Sequence, residues 1–151
     1  MKYRQNRGLG EALAAQMVEF VHSLEWEVDM LLPIPLGKNR LQERGYNQVA
    51  LVAEPLAYHV SLAYLPKALW KRKDTRSQVG LKHSQRRENV QNAYQADPEA
   101  VKGKSILIMD DVATTGATIS ASTEVLLAAG AREVYAITIA RALSHHDINR
   151  V

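Results

Sequence analysis

The sequence predicts an α/β domain built around a parallel strand–helix–strand unit, and three stretches carry that prediction. Ser105-Ile106-Leu107-Ile108-Met109 is an unbroken apolar run of strand length, residues 118–129 have helical composition and stop at Gly130, and residues 133–140 form a second strand-like run. Strands joined through a helix must run parallel, because the crossover returns the chain to the end of the sheet where it started.

The remaining elements follow in order. Over residues 8–24, Leu13, Met17, Phe20, Val21 and Leu24 recur at helical spacing with Glu11, Gln16, Glu19 and Ser23 between them, which predicts an amphipathic helix. Gly8 and Gly10 stand at its expected start. They make half of a dinucleotide fingerprint, but no strand precedes them and Leu13 occupies the place of the third glycine. Residues 29–35 predict a short buried strand broken by Pro33 and Pro35, and the polar run 37–45 a loop leaving it. Residues 47–62 return to helical spacing through Val49, Val52, Leu56 and Val60, with Pro55 either kinking the helix or lying near its start. A strand is expected over 65–70, a short helix over 84–90, a loop over 97–103, a small polar loop over 110–117 and a tail from Ser144.

Composition bounds the chemistry. The 151 residues, 16.8 kDa and 46% apolar, suit a single domain spanning 1–151 with its core in about 8–141, able to bury roughly 70% of its unfolded surface. With no cysteine, a disulfide framework, a thiolate zinc site, an iron–sulfur cluster and a cysteine nucleophile are excluded within these residues. The absence of cysteine suits a reducing cytoplasm. No run approaches the ~18 uncharged apolar residues of a membrane span, and Arg4, Arg7 and Glu11 interrupt the first twenty, so neither a membrane nor a targeting signal is expected.

The net charge of +3 is unevenly spread. Residues 67–92 hold eight Lys or Arg against Asp74 and Glu88, a net +6, which leaves −3 for the remainder. Such a patch suggests a localised anionic partner: phosphate, pyrophosphate or nucleic acid.

The chemistry concentrates where the run 105–109 ends. Asp110 and Asp111 are followed by Thr114-Thr115-Gly116-Ala117-Thr118 at the start of the predicted helix. Ligands of open α/β sheets bind beyond the carboxyl ends of the strands, and a helix N-terminus offers N–H groups and positive potential to an anion. Gly116 and Ala117 admit a phosphate close to the backbone. The two carboxylates repel it, so they need a neutral or cationic target beside it, and sugar hydroxyls or a magnesium ion held through water meet that need. A ribose 5-phosphate pocket fits this combination. Acidic pairs after strands also occur in phospho-acceptor domains and magnesium phosphatases. A P-loop requires Gly-Lys-Ser/Thr, and no lysine follows Lys104. His145-His146-Asp147 has the letters of a metal site without its spacing.

The run ILIMDDVATTGAT over residues 106–118 resembles the phosphoribosyl pyrophosphate (PRPP) motif of type I phosphoribosyltransferases. The resemblance implies a mostly parallel sheet with helices on both faces. It also implies that Asp110 and Asp111 hold the ribose hydroxyls, and that Ala113, Thr114, Thr115, Gly116, Ala117 and Thr118 enclose the 5-phosphate. Pro33-Ile34-Pro35-Leu36, Arg40, Arg44-Gly45-Tyr46-Asn47-Gln48, Thr75, Gln78, Leu81, Arg86 and Asn89 narrow it to the competence-associated ComF/GntX branch. Leu36, Gly37, Lys38 and Arg40 then resemble a pyrophosphate loop, and residues 71–81, with Arg72 as a catalytic candidate, the loop that closes over substrate. Arg44, Asn47, Gln48, Thr75 and Gln78 match as polar residues of the family pattern. The chain departs from the branch in having Gly37 where members commonly have His, and in lacking the cysteine-rich zinc module that longer members carry.

What the resemblance implies functionally is Mg2+-dependent transfer of a phosphoribosyl group between pyrophosphate and a nitrogenous base. The alternative is a non-catalytic accessory of DNA uptake that binds a phosphorylated ribose, competence proteins or single-stranded DNA through the basic stretch. The acceptor base and the oligomeric state are not legible, and an oligomer is compatible with either reading.

Overall fold

The computed structural model describes residues 2–72, 93–113 and 115–141. Four strands, β1 (Met30–Pro33), β2 (Ala63–Tyr64), β5 (Ser105–Ala113) and β6 (Glu133–Arg141), form a wholly parallel sheet in the order β2-β1-β5-β6. A two-stranded antiparallel ribbon pairs β3 (Leu69–Lys71) with β4 (Tyr94–Ala96), in the register Lys71 to Tyr94. The helices are α1 (Lys2–Ser23), α2 (Lys38–Arg44), α3 (Gln48–His59), α4 (Pro98–Val101) and α5 (Ala117–Ala128).

Alternation along the central strands divides the core into two layers. Met30, Leu32, Ile34, Ile106 and Ile108 point to one face, where they meet Leu126 of α5, Val101 of α4 and Leu69 of the ribbon. Leu31, Leu107, Met109 and Ile137 point to the other, against Ala14 of α1 and Val49, Val52 and Leu56 of α3. Because β1 and β5 are covered on both faces, they read as continuous apolar runs rather than alternating ones. Each fully buried Leu or Ile contributes about 2 kcal/mol of transfer free energy to this arrangement. The expected parallel sheet with helices on both faces is therefore the observed one.

Several local expectations are corrected. Gly8 and Gly10 do not start α1 but lie within it, and Gly10 is a packing residue: a Cβ there would fall 2.4 Å from the Leu51 carbonyl oxygen of α3. That carbonyl is four residues before Pro55, which sits inside α3 and has no N–H to return to it. The close crossing of the two helices thus uses a missing side chain on one and a missing donor on the other.

Residues 38–44 are helical rather than a loop, since Lys-Asn-Arg-Leu-Gln-Glu-Arg is rich in helix formers and Gly45, at φ 76°, closes the turn by donating its N–H to the Leu41 carbonyl at 2.7 Å. Residues 98–101 form one helical turn, capped by Asp97 and started by Pro98, where a loop was expected. The expected strand over 65–70 is strand only at its end, where β3 begins at Leu69; β2 precedes it, and residues 65–68 turn between them, with the Ala68 N–H donating to the Leu65 carbonyl at 3.1 Å. The anticipated helix over 84–90 and the tail from Ser144 lie outside the described residues.

Candidate functional site

β5 does not stop at Met109. It pairs with β6 as far as Ala113 opposite Arg141, so Asp110 and Asp111 are strand residues at the carboxyl end of the sheet rather than loop residues. Each carboxylate is held by the next peptide: the Asp111 N–H donates to Asp110 Oδ1 at 2.9 Å, and the Val112 N–H to Asp111 Oδ1 at 2.7 Å. Burial raises the Asp110 pKa above the usual carboxylate range. The Asp111 N–H bond opposes the rise, while the Asp111 charge adds to it.

The chain then turns at Gly116, whose φ of 76° is a left-handed conformation that favours glycine, and enters α5. Thr115 Oγ1 accepts from the Ala117 N–H at 3.4 Å. Among the described residues no atom lies within 4 Å of where a Gly116 Cβ would stand, so they leave the space above this turn open.

The opposite wall comes from β1. The Ile34 N–H donates to the Met109 carbonyl at 2.8 Å, extending the ladder past the strand end and fixing where Pro35, Leu36 and buried Gly37 leave the sheet. Gly37 is the N-cap of α2, which carries Arg40 and Arg44. Asn47 secures the return: its Nδ2 donates to the Ile34 carbonyl at 3.0 Å, and its Oδ1 accepts from the Val49 N–H at 3.1 Å, capping α3. Arg44 donates to Gln48 Oε1 at 2.8 Å.

The third wall is the ribbon. Tyr94 is 6% exposed, and its hydroxyl hydrogen-bonds with Thr118 of α5 beside Asp110 and Arg40. Burial pushes its pKa up, and the Thr118 bond opposes that shift. Lys71 places its Nζ 5.8 Å from the Tyr94 ring centroid.

Between these walls lies a cleft of about 490 Å³. Of the residues proposed from sequence, Leu36, Gly37, Arg40, Arg44, Asn47, Gln48, Asp110, Asp111 and Thr118 line it. Ala113, Thr115, Gly116 and Ala117 form the adjoining turn without lining the cleft. Lys38 is exposed and outside it. Arg72 is also exposed and outside it, its backbone N–H donating to the Ala93 carbonyl at 2.6 Å. Thr75, Gln78 and Thr114 lie outside the described residues.

Sequence reasoning did not single out Asn39, Lys71 or Tyr94 as site residues, yet all three line the cleft. The available signals were the place of Lys71 at the start of the 71–81 stretch, that of Asn39 between Lys38 and Arg40, and that of Tyr94 just beyond the basic stretch.

Among the described residues no group of three or more His, Cys, Asp or Glu is placed to hold a metal. The donors present are a carboxylate pair facing guanidinium groups. That set fits a hard divalent ion whose other ligands are water and substrate oxygens, and not an all-protein cage. No helix among the described residues is long and apolar enough to cross a membrane.

A cleft at the carboxyl end of a parallel sheet, with acids on one strand and cations on the helix after its neighbour, occupies the ligand-site position of open α/β proteins. Residues 41–147, more than half of the chain, match the phosphoribosyl transferase domain model, and the chain belongs to that family. Its relatives fall in the ComF branch. It is 29% identical to DNA utilization protein YhgH of Salmonella typhimurium, over 95% of this chain and 65% of that protein. It is 30% identical to competence protein F of Haemophilus influenzae, over 86% and 57%. The chain thus spans between half and two thirds of the length of these relatives. In fold it resembles the glutamine PRPP amidotransferase of B. subtilis, with a TM-score of 0.59 at 20% identity over 93% of this chain and 27% of that one.

Proposed function

We propose that the cleft binds PRPP together with Mg2+ and transfers its phosphoribosyl group to, or from, a nitrogenous base, with release or uptake of pyrophosphate. The observation that carries this reading is the presence in one cleft of the Asp110–Asp111 pair and of Gly37, Arg40 and Arg44 from the loop and helix after the neighbouring strand.

Loss of pyrophosphate leaves positive charge on the ribosyl carbon and gathers negative charge on the departing oxygens, so a catalyst must offer separate anionic and cationic surfaces. Asp110 and Asp111 accept the vicinal hydroxyls and face the developing cation. Arg40, with the backbone around Gly37, faces the leaving group, and the turn through Gly116 into α5 receives the 5-phosphate. The Asp110–Asp111 pair would hold Mg2+ through water, and the ion would supply charge neutralisation of the pyrophosphate. Catalysis then rests on positioning and fixed charge rather than on a covalent nucleophile.

The test is pyrophosphate release from PRPP and Mg2+ across a panel of bases, in a cysteine-free chain suited to the reducing cytoplasm. Release that disappears in Asp110→Asn and Asp111→Asn supports transfer. Tight PRPP binding without release for any base leaves a binding protein.

A second reading has one observation in its favour, the DNA-use and competence names of the relatives. In that reading the same cleft binds a phosphorylated ribose without turnover, and residues 67–92 contact DNA phosphates. DNA affinity would then fall steeply with added salt, while PRPP affinity would follow the carboxylate pair.

A further inference from the structure

The sheet ends on a long strand. In the order β2-β1-β5-β6, β6 pairs with β5 from Glu133 to Arg141, and among the described residues no strand pairs with its other side. Such an edge presents a row of backbone N–H and C=O groups, and proteins that leave an edge free blunt it with charge, proline or a bulge. Between its end residues β6 reads Val-Tyr-Ala-Ile-Thr-Ile-Ala, without charge, proline or glycine and rich in β-branched and aromatic residues. Its outer edge is composed to pair.

We propose that β6 pairs with β6 of a second copy, antiparallel about a two-fold axis at Ile137, joining two four-stranded sheets into one of eight. The strand is complementary to itself in that register. Glu133 opens it and Arg141 closes it, so the two-fold sets an acidic residue opposite a basic one at both ends. On the face that carries α1 and α3, Tyr135 falls opposite Ile139 of the second copy and Ile137 opposite its own counterpart. On the face that carries α5, Val134 falls opposite Ala140 and Ala136 opposite Thr138. Large residues meet large ones on one face, and smaller residues meet on the other. A slip of two residues in either direction sets one charged end against an uncharged residue and leaves the other end unpaired, which fixes the register.

The amino end of the strand is already organised for this contact. Glu133 Oε2 accepts from the Ser105 hydroxyl at 3.2 Å and from the Tyr135 hydroxyl at 3.1 Å, while neighbouring Arg132 is turned to Ser105, donating through Nη2 to its Oγ at 2.9 Å. The carboxylate therefore has a fixed place before a partner arrives, and little side-chain freedom is lost on pairing. Trp26 stacks on Tyr135 with ring centroids 4.5 Å apart and is 37% exposed, which extends the apolar surface beside the edge. Because the two copies run antiparallel, their clefts open at opposite ends of the joined sheet.

The test is sedimentation velocity of the full chain, where a species of twice 16.8 kDa is expected. Glu133→Arg sets Arg against Arg at both ends and Arg141→Glu sets Glu against Glu, so each variant alone is expected to self-associate about 10-fold more weakly or worse. Mixed in equal amounts, the two variants restore opposite charges at both ends. A mixed dimer of nearly the original affinity is expected, a rescue that a folding defect in either variant would not give. Ala140→Lys, at an exposed position away from the Glu133 bonds, puts a charge opposite Val134 of the second copy and is expected to weaken the dimer by a similar factor. An unaltered chain that stays monomeric, with a Kd above about 100 μM, overturns the proposal, whether residues 142–151 or solvent then cover the edge. So does a dimer that withstands both charge reversals, or one that withstands Ala140→Lys. With both charge variants folded by circular dichroism, a mixture no tighter than its components overturns it as well.

Discussion

Asp110 and Asp111 are consecutive on β5, and the backbone N–H of the second holds the carboxylate of the first at 2.9 Å. Each acid has a different neighbourhood: Asp110 stands beside Tyr94, whereas Asp111 borders both the large cleft and a smaller chamber against α1. One dipeptide therefore borders both spaces.

The raised pKa of Asp110 has a consequence for stability. A carboxyl that binds its proton more tightly when folded loses stability as pH rises from the unfolded value through the folded one, so at pH 7 the ionised group costs the unliganded fold free energy. Asp110→Asn is expected to raise the melting temperature at pH 7 by on the order of 2 °C, with the gain vanishing below the ordinary carboxylate range, and to abolish PRPP binding. Calorimetric melting of both proteins across pH checks the sign.

Tyr94→Phe keeps the ring beneath Lys71 and removes the bond to Thr118. Its expected effect is a loss of about 1 kcal/mol, roughly 5-fold, in PRPP affinity with little change in thermal stability, because the buried phenol would lose only one hydrogen bond. Fluorescence titration of the variant measures it, and unchanged affinity would remove Tyr94 from the site.

Arg40 and Lys38 are both cations of α2, but only Arg40 lines the cleft. Arg40→Ala is expected to weaken PRPP binding by about 2 kcal/mol, the value of a charged hydrogen bond, while Lys38→Ala changes it less than about 2-fold. Paired titrations at fixed ionic strength separate the two.

Gly10→Ala would put a methyl 2.4 Å from the Leu51 carbonyl oxygen and force α1 away from α3. A loss of about 1–3 kcal/mol of folding stability is expected, read as a lower urea midpoint with an unchanged slope.

The two long central strands, their crossover helix and the stop at Gly130 were legible because each is written in local periodicity and buried on both faces. The helix over 38–44 was not: it has no buried residue and so no apolar stripe to announce it. The continuation of β5 through the acids was hidden for a different reason. Polar residues at a strand end remain extended only because β6 pairs with them, which is a non-local fact. The acids were singled out from residue type and spacing, and Gly37, Arg40 and Arg44 through the family resemblance; all five line the cleft. Tyr94 was not, since its meeting with Thr118 is made by the ribbon's packing against α5 and leaves no mark in either segment. Lys38 shows the opposite failure, a cation in the right segment that the helical turn carries away from the cleft.

Isothermal titration of PRPP into the folded chain, with and without Mg2+, tests the central claim most directly. The account predicts saturable binding that strengthens with Mg2+ and is lost in the double variant Asp110→Asn, Asp111→Asn. Binding that persists undiminished in that variant, or no heat with the unaltered protein, would contradict it.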